Sequence, residues 1–144
     1  MARRRVTTAG SLLLDSEGLV KLAAHETDAR AYFESARQRQ ARVTVSAITL
    51  TEVLRGGAKD AAAHRVLSRI VVLPVTAELA RRAGELLGAT GLSGHRHAID
   101  AVVAATAQAL ERPVLLLTSD PKDLALLTAE PQRPKSERIV VVRV

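Results

Sequence analysis

The 144-residue sequence contains no cysteine. Disulfide bonds, zinc sites built on thiolates and cysteine nucleophiles are therefore excluded. Aromatic residues are almost as scarce, with one tyrosine, one phenylalanine and no tryptophan. A protein that grips single-stranded nucleic acid by base stacking needs several aromatic side chains. Any affinity of this chain for nucleic acid must therefore come from charge and from backbone shape.

Long apolar runs and several familiar catalytic motifs are also missing. No apolar run approaches the roughly 20 residues that cross a bilayer, and the apolar part of the first fifteen residues is too short for a signal peptide and ends in Asp15. We therefore expect a cytoplasmic protein that does not contact a membrane. The G-x-S-x-G, G-x-x-x-x-G-K-[ST] and G-x-G-x-x-G motifs are absent from the sequence.

The chain is basic, with 21 Lys and Arg residues against 15 Asp and Glu residues, a formal net charge of +6. This balance favours an anionic partner, either nucleic acid or an acidic protein, although solubility alone is the alternative. The length fits one domain with a substantial core. We predict a basic N-terminal arm over residues 1–10, which includes Arg3 to Arg5, and a single domain over residues 11–144.

Short apolar segments alternate with helical patterns along the chain. The predicted strands cover residues 11–15, 42–46, 70–74, 113–119 and 138–144, and those at 11–15 and 70–74 are predicted to be buried. The predicted helices cover residues 16–24, 27–40, 47–56, 58–69, 76–90, 97–112 and 120–129, with loops at 91–96 and 128–137. This alternation predicts an α/β fold, a parallel sheet with helices on both faces, which is a three-layer α/β/α sandwich.

Four separated carboxylates are the strongest chemical signal: Asp15, Glu52, Asp100 and Asp120, with Asp123 close behind the last. Asp15 and Asp120 directly follow predicted strands, and ligand sites of open α/β sheets lie beyond the carboxyl ends of the strands. A cluster of acids within a basic protein suggests a hard divalent cation that works on a polyanion.

Three of these acids, Asp15, Glu52 and Asp120, also have an ordinary structural explanation as helix-capping residues. Asp15 can cap the helix that follows it. Thr49 and Glu52 have the spacing of a capping box. Asp120 followed by Pro121 is a common helix start. For these three acids, the capping role and the functional role remain open on sequence grounds.

Asp100 differs because it lies inside a predicted helix among apolar neighbours. Aspartate has poor helix propensity, and an unpaired buried carboxylate is costly. A cation would remove that cost, and pairing with Arg96 is the alternative. The positions on its helix face are 96, 97, 103, 104 and 107.

Oxygen ligands without cysteine favour Mg²⁺ or Mn²⁺ over Zn²⁺. His25 and His64 stand alone, and the sequence does not favour any histidine as a metal ligand. His95, Arg96 and His97 are better explained as phosphate contacts near the site.

Three hydroxyl side chains lie beside the acids, namely Ser16, Thr118 and Ser119. They can orient a ligand water or the phosphate, or they can cap helices. Asp123 is best explained as a supporting acid behind the ligands or as a helix cap.

Four motifs together resemble the PIN domain, and specifically the toxin nucleases of VapBC-type toxin–antitoxin pairs. They are, in this order, LLLDSEGLVKLA, VSAITLTEVLRG, HAIDAVVAATA and LLTSDPKDLALL. The resemblance covers most of the chain, roughly from Leu12 to Val142. Glu17 departs from the family pattern, in which a small or apolar residue is more usual. The basic start of the chain lies outside the match.

The resemblance implies a five-stranded parallel sheet of order 3-2-1-4-5 and a ribonuclease that depends on Mg²⁺ or Mn²⁺. It implies that Asp15, Glu52, Asp100 and Asp120 form the acidic pocket, with Asp15 and Asp100 as the primary metal ligands. It also implies a small antitoxin partner and a homodimer.

The hypothesis is therefore a toxin endoribonuclease that hydrolyses RNA phosphodiester bonds with a metal-activated water. The alternatives are a PIN-like module that binds RNA or a partner without cleavage, and a housekeeping RNA-processing nuclease. A phosphoacceptor receiver domain is disfavoured because no lysine ends the segment VVVRV. Without a metal ion, we expect repulsion among the acids to raise at least one pKa.

Overall fold

The structure, a computed structural model, describes residues 9–144. Most of the predicted N-terminal arm lies outside these residues, so the division into arm and domain stays a prediction. The five strands are β1 Ser11–Leu14, β2 Arg42–Ser46, β3 Val71–Leu73, β4 Val114–Thr118 and β5 Val140–Arg143. They form one parallel sheet in the order β3-β2-β1-β4-β5, which confirms the predicted fold.

Seven α-helices surround the sheet in the described part of the chain. They are α1 Ser16–Ala23, α2 Thr27–Gln38, α3 Leu50–Val53, α4 Ala61–Leu67, α5 Ala77–Thr90, α6 Gly94–Ala109 and α7 Pro121–Thr128. Short 3-10 turns occupy Ala47–Thr49, Ala58–Asp60 and Lys135–Glu137. Within residues 9–144, no helix has the length and apolar character that spanning a bilayer requires.

The central strand β1 divides its leucines between the two faces of the sheet. Leu12 and Leu14 pack with residues of α1 and α2, including Phe33. Leu13 packs on the opposite face with Val103 of α6 and with Leu124 of α7. Because successive side chains of a strand point to opposite faces, a run of three leucines serves two cores at once. The result is the three-layer arrangement.

The strand predicted as buried at residues 70–74 is shorter and more exposed in the structure. It covers Val71–Leu73, and Val71 and Val72 are 37% and 39% exposed. The reason is its position, since among residues 9–144 β3 pairs with β2 alone and forms an edge of the sheet. An apolar run in the sequence does not show whether its strand will lie at the centre or at the edge of the sheet.

Helix α5 has the predicted ends, whereas α6 begins earlier than predicted. The Thr76 hydroxyl accepts a hydrogen bond from the Leu79 N–H at 3.1 Å, and Gly91 ends α5 with a φ of 70°. Only two residues then precede α6, which begins at Gly94 rather than at His97. His95 and Arg96, predicted to lie in a loop, therefore belong to the first turn of α6.

Two other predicted helix starts differ from the structure. Glu26, rather than Thr27 or Asp28, is the N-cap of α2, and within residues 9–144 its side chain makes no capping hydrogen bond. The helix predicted over 47–56 is a 3-10 turn followed by the four-residue α3. Helix propensity predicted that these segments are helical but not the residues at which the helices begin.

Candidate metal-binding site

Asp15 lies at the carboxyl end of β1, next to the end of β4. Leu14 pairs with Leu117, and the Asp15 N–H donates to the Leu117 carbonyl oxygen at 3.1 Å. Gly18 lets α1 approach this strand closely, because a Cβ on Gly18 would lie 2.7 Å from the same carbonyl oxygen. Asp15 is therefore fixed at the edge of the sheet where α/β folds place their ligands.

The Asp15 carboxylate caps α1, since its Oδ1 accepts a hydrogen bond from the Gly18 N–H at 2.7 Å. The structural explanation considered for Asp15 is thus correct. Capping does not remove the residue from the candidate site. Asp15 is only 9% exposed, and its charge is compensated by no cation in the described part of the chain.

Burial raises the pKa of Asp15 to about 6, from an ordinary value of 3.8. Hydrogen bonds from Thr118 and from the Gly18 N–H lower the pKa, whereas the charges of Glu17 and Asp100 raise it. The charge of Asp100 is the smallest of the causes that raise the pKa of Asp15, so these two carboxylates, 85 positions apart in the sequence, interact electrostatically in the fold.

Asp100 interacts electrostatically with Asp15, Glu52, Asp120 and Asp123. Burial is the main cause that raises its pKa, and the charges of Asp123 and Asp120 raise it further. His97, whose Nδ1 lies 3.8 Å from Asp100 Oδ2, acts in the opposite direction. The basic side chain that adjoins Asp100 is thus His97, rather than the Arg96 considered from sequence.

Glu52 is exposed in α3 and also interacts with Asp100. Partial burial of its carboxyl group raises its pKa, as does the charge of Asp100, while a hydrogen bond with Ser16 lowers it. The capping box considered from sequence does not form. Within residues 9–144 the Thr49 side chain makes no capping hydrogen bond, and its buried Oγ1 has no partner. Glu52 is consequently available to the acidic group.

Asp120 and Ser119 follow β4 at the same edge. Asp120 is exposed and is the N-cap residue of α7, but in the described part of the chain its side chain makes no capping hydrogen bond. Its backbone N–H donates to the Thr118 hydroxyl at 3.1 Å. The Ser119 carbonyl oxygen accepts a hydrogen bond from Arg143 Nε at 3.3 Å. Thr118 therefore links the backbone of one acid to the carboxylate of Asp15.

A histidine that sequence reasoning did not favour as a ligand lies among the acids. His97 Nδ1 is 3.8 Å from Asp100 Oδ2 and 3.5 Å from Asp123 Oδ2. One ligand atom from each of the three residues lies within 4.8 Å of the others. The spacing of three between His97 and Asp100 was a usable signal, because it places both on one helix face. The approach of Asp123 to His97 could not be predicted from sequence, because it depends on how α7 packs against α6.

The three raised pKa values follow the expected direction but have a different main cause. Burial contributes more than repulsion at Asp15, at Glu52 and at Asp100. Glu17, the residue that departs from the family pattern, adds negative charge close to Asp15 and Glu52. The region therefore holds acids whose ionised forms are poorly compensated.

The donor set fits a divalent cation. Carboxylate oxygens predominate, thiolates are absent from the sequence, and one imidazole nitrogen adjoins the carboxylates. Oxygen-rich sites of this kind suit Mg²⁺ and Mn²⁺, and a bound cation would compensate the charges that raise the pKa values.

Comparisons with solved structures give the same fold. VapBC2 from Rickettsia felis, solved bound to a DNA fragment from its promoter, is similar at 19% identity, with 92% of this chain and 98% of that chain covered and a TM-score of 0.64. A toxin–antitoxin complex from Klebsiella pneumoniae is similar at 26% identity, with coverage of 79% and 90% and a TM-score of 0.61. DNA-bound VapBC from Salmonella typhimurium is similar at 21% identity, with coverage of 91% and 97% and a TM-score of 0.60.

No curated protein matched the sequence. The family model of the PIN domain matches residues 12–126, which contain all the acids described above. The chain belongs to the PIN domain family, a family of nucleases.

Proposed function

We propose that the protein is an endoribonuclease that depends on Mg²⁺ or Mn²⁺ and is the toxin of a type II toxin–antitoxin pair. The proposal is supported by the electrostatic interaction of Asp15, at the carboxyl end of β1, with Asp100, and by the raised pKa values of both acids in a chain of the PIN domain family. Acids that are costly to ionise in the free protein are well suited to a cation.

Asp15 and Asp100 would be the primary ligands, and Glu52 and Asp120 would complete the coordination directly or through water. When bound, the cation lowers the pKa of a water molecule and neutralises charge on the phosphoryl oxygens. Asp123 would support the ligands from behind.

The chain's own residues prepare this chemistry. The Gly18 N–H holds one oxygen of Asp15 at 2.7 Å, so that ligand is oriented before a cation arrives. Glu52 is exposed and has a raised pKa, and both properties suit a base that orients the attacking water. Ser16, Thr118 and Ser119 would position the same water or the phosphate.

RNA is the proposed substrate because the formal net charge of +6 attracts a polyanion to an otherwise acidic site. A small antitoxin is the proposed protein partner, since similar structures are complexes of toxin and antitoxin. A homodimer is proposed from the family resemblance.

The test is cleavage of a structured RNA by the purified protein with Mg²⁺ or Mn²⁺, and with EDTA instead. Asp15→Asn and Asp100→Asn should each reduce the rate by about 10³-fold, equivalent to about 4 kcal/mol of transition-state stabilisation. Asp28→Asn is a matched control, because Asp28 is exposed in α2 and should leave the rate unchanged. Equal activity of the two site variants and the wild type would contradict the proposal.

A further inference from the structure

The proposed function does not explain why His97 lies close to the carboxylates of Asp100 and Asp123. Its side chain is 16% exposed, and its Nδ1 lies 3.8 Å from Asp100 Oδ2 and 3.5 Å from Asp123 Oδ2. The His97 backbone N–H donates to the Ser93 carbonyl oxygen at 2.9 Å, so the ring is attached to an ordered first helical turn. The ring therefore adjoins both acids from a fixed position.

These distances are too long for strong direct pairing. A charge-assisted N–H···O hydrogen bond is about 2.7–2.9 Å long. Adjacent ligands in an octahedral shell with bonds of about 2.1 Å lie about 3 Å apart, and opposite ligands lie about 4.2 Å apart. The separations at His97, and the 4.8 Å that bounds the whole set, leave room for a cation between the three atoms after small adjustments.

We propose that His97 Nδ1 is a nitrogen ligand of the site's cation beside Asp100, that Asp123 binds the same cation directly rather than supporting the ligands from behind, and that the nitrogen ligand makes the site prefer Mn²⁺ to Mg²⁺. The inference rests on the proposed metal-dependent function. Mg²⁺ strongly favours oxygen ligands, whereas transition-metal ions accept imidazole readily. Replacing one oxygen ligand by nitrogen therefore penalises Mg²⁺ more than Mn²⁺.

The simpler alternative is that protonated His97 is a counter-ion for Asp100 and Asp123. The two explanations predict opposite signs for its removal. Loss of a ligand weakens Mn²⁺ binding and changes Mg²⁺ binding less. Loss of a competing positive charge strengthens the binding of both cations. A comparison of the two metals therefore separates the explanations.

The experiment uses the whole chain with Mn²⁺ at pH 7.5 and pulsed electron paramagnetic resonance to detect nitrogen bound to the ion. The wild type should show ¹⁴N coupling that changes to ¹⁵N coupling when histidine alone is labelled with ¹⁵N. His97→Gln should lose the coupling and bind Mn²⁺ about tenfold more weakly by calorimetry, with less than about a threefold change for Mg²⁺. His64→Gln is the control, because His64 is exposed in α4 and has no part in the candidate site.

Absence of nitrogen coupling in the labelled wild type overturns the inference, and this measurement does not depend on whether a variant folds. Equal or tighter Mn²⁺ binding by folded His97→Gln also overturns it. RNA cleavage by a wild type without nitrogen coupling would leave the proposed function standing. Nitrogen coupling without RNA cleavage would support the inference about His97 and contradict the proposed function. Failure to bind Mn²⁺ would contradict both.

Discussion

Asp15 and Glu130 are almost equally buried, at 9% and 7% exposure, yet their pKa values move in opposite directions. Burial raises the pKa in both cases. At Glu130 the hydrogen bonds and charges of Arg112 and Arg133 outweigh burial and hold the pKa below its usual range. At Asp15 the opposing hydrogen bonds are too few, and neighbouring acids add to the rise. The arginine partners of Glu130, which Asp15 lacks in the described part of the chain, therefore contribute to the difference between the two carboxylates.

The two acids also lie in different parts of the fold. Glu130 follows α7 and pairs with Arg112, which precedes β4, at 2.6 and 3.0 Å. Arg112 also donates to the Glu137 carbonyl oxygen at 2.9 Å, so this cluster ties three segments of chain together. Asp15 instead lies at the carboxyl edge of the sheet. Glu130, whose charge is compensated by arginines, stabilises the fold. Asp15 and the other acids without such partners form the candidate site.

The largest expected effect on stability is at the compensated acid. Glu130→Gln would leave Arg112 in a half-buried position without its counter-ion, and we expect a loss of about 3 kcal/mol in the free energy of unfolding. Urea unfolding at pH 7 measures it. Glu85→Gln is the control, because its pair with Arg82 is exposed and its removal should cost less than about 1 kcal/mol. Similar losses in the two variants would contradict the distinction between the clusters.

At Asp15, in contrast, removing the charge should increase the free energy of unfolding. Between the unfolded pKa of 3.8 and the folded pKa of about 6, the folded protein binds more protons than the unfolded protein. Wild-type stability without metal should therefore fall as pH rises through this window and stay lower above it. Asp15→Asn keeps a side-chain oxygen that can cap α1, and it should be more stable than the wild type at pH 7 by about 2 kcal/mol.

The two proteins should have nearly equal stability below about pH 4, where Asp15 is protonated in both states. Saturating Mn²⁺ should reverse the order at pH 7, since a ligand at 100 times its dissociation constant stabilises the fold by about 2.7 kcal/mol. Thermal unfolding across pH, with and without Mn²⁺, measures both effects. An Asp15→Asn variant that is less stable at pH 7 without metal would break the comparison with Glu130.

The smallest expected effect is at Thr118. Thr118→Val keeps the shape of the side chain and removes the hydrogen bond that lowers the pKa of Asp15. The Asp15 pKa should rise further, with a loss of about 1 kcal/mol in stability at pH 7. Carboxyl ¹³C chemical shifts against pH measure the pKa, and Thr118→Ser, which keeps the hydroxyl, should resemble the wild type. An unchanged pKa in Thr118→Val would show that this hydroxyl does not compensate Asp15.

Sequence predicted the fold well where local pattern and topology agree. The leucine run of β1 and the apolar run of β4 fixed the central strands, and their ends placed Asp15 and Asp120 at one edge. The exposure of β3 was not predictable, because edge position depends on the pairing of all strands. The first turn of α6 was also missed, since two residues after Gly91 were enough to begin a new helix.

The candidate site was predicted in composition rather than in detail. Asp15 and Asp120 were identified because they follow predicted strands, and Asp100 because it lies inside an apolar helix. The proximity of His97 to Asp123 depends instead on the packing of α6 against α7. The pairing of Glu130 with Arg112 was not predicted either, because Glu130 lies in a segment that looked like an ordinary loop. Contacts between distant segments supply the charge compensation that local sequence patterns do not encode.

The most direct test of the central claim is the titration of the Asp15 carboxyl carbon by ¹³C NMR, with and without saturating Mg²⁺. Without metal, Asp15 should titrate at about 6. With Mg²⁺ its pKa should fall below the ordinary value of 3.8, because the cation stabilises the charged form, while Glu130 should be unaffected. An Asp15 titration that is the same with and without Mg²⁺ would contradict the account.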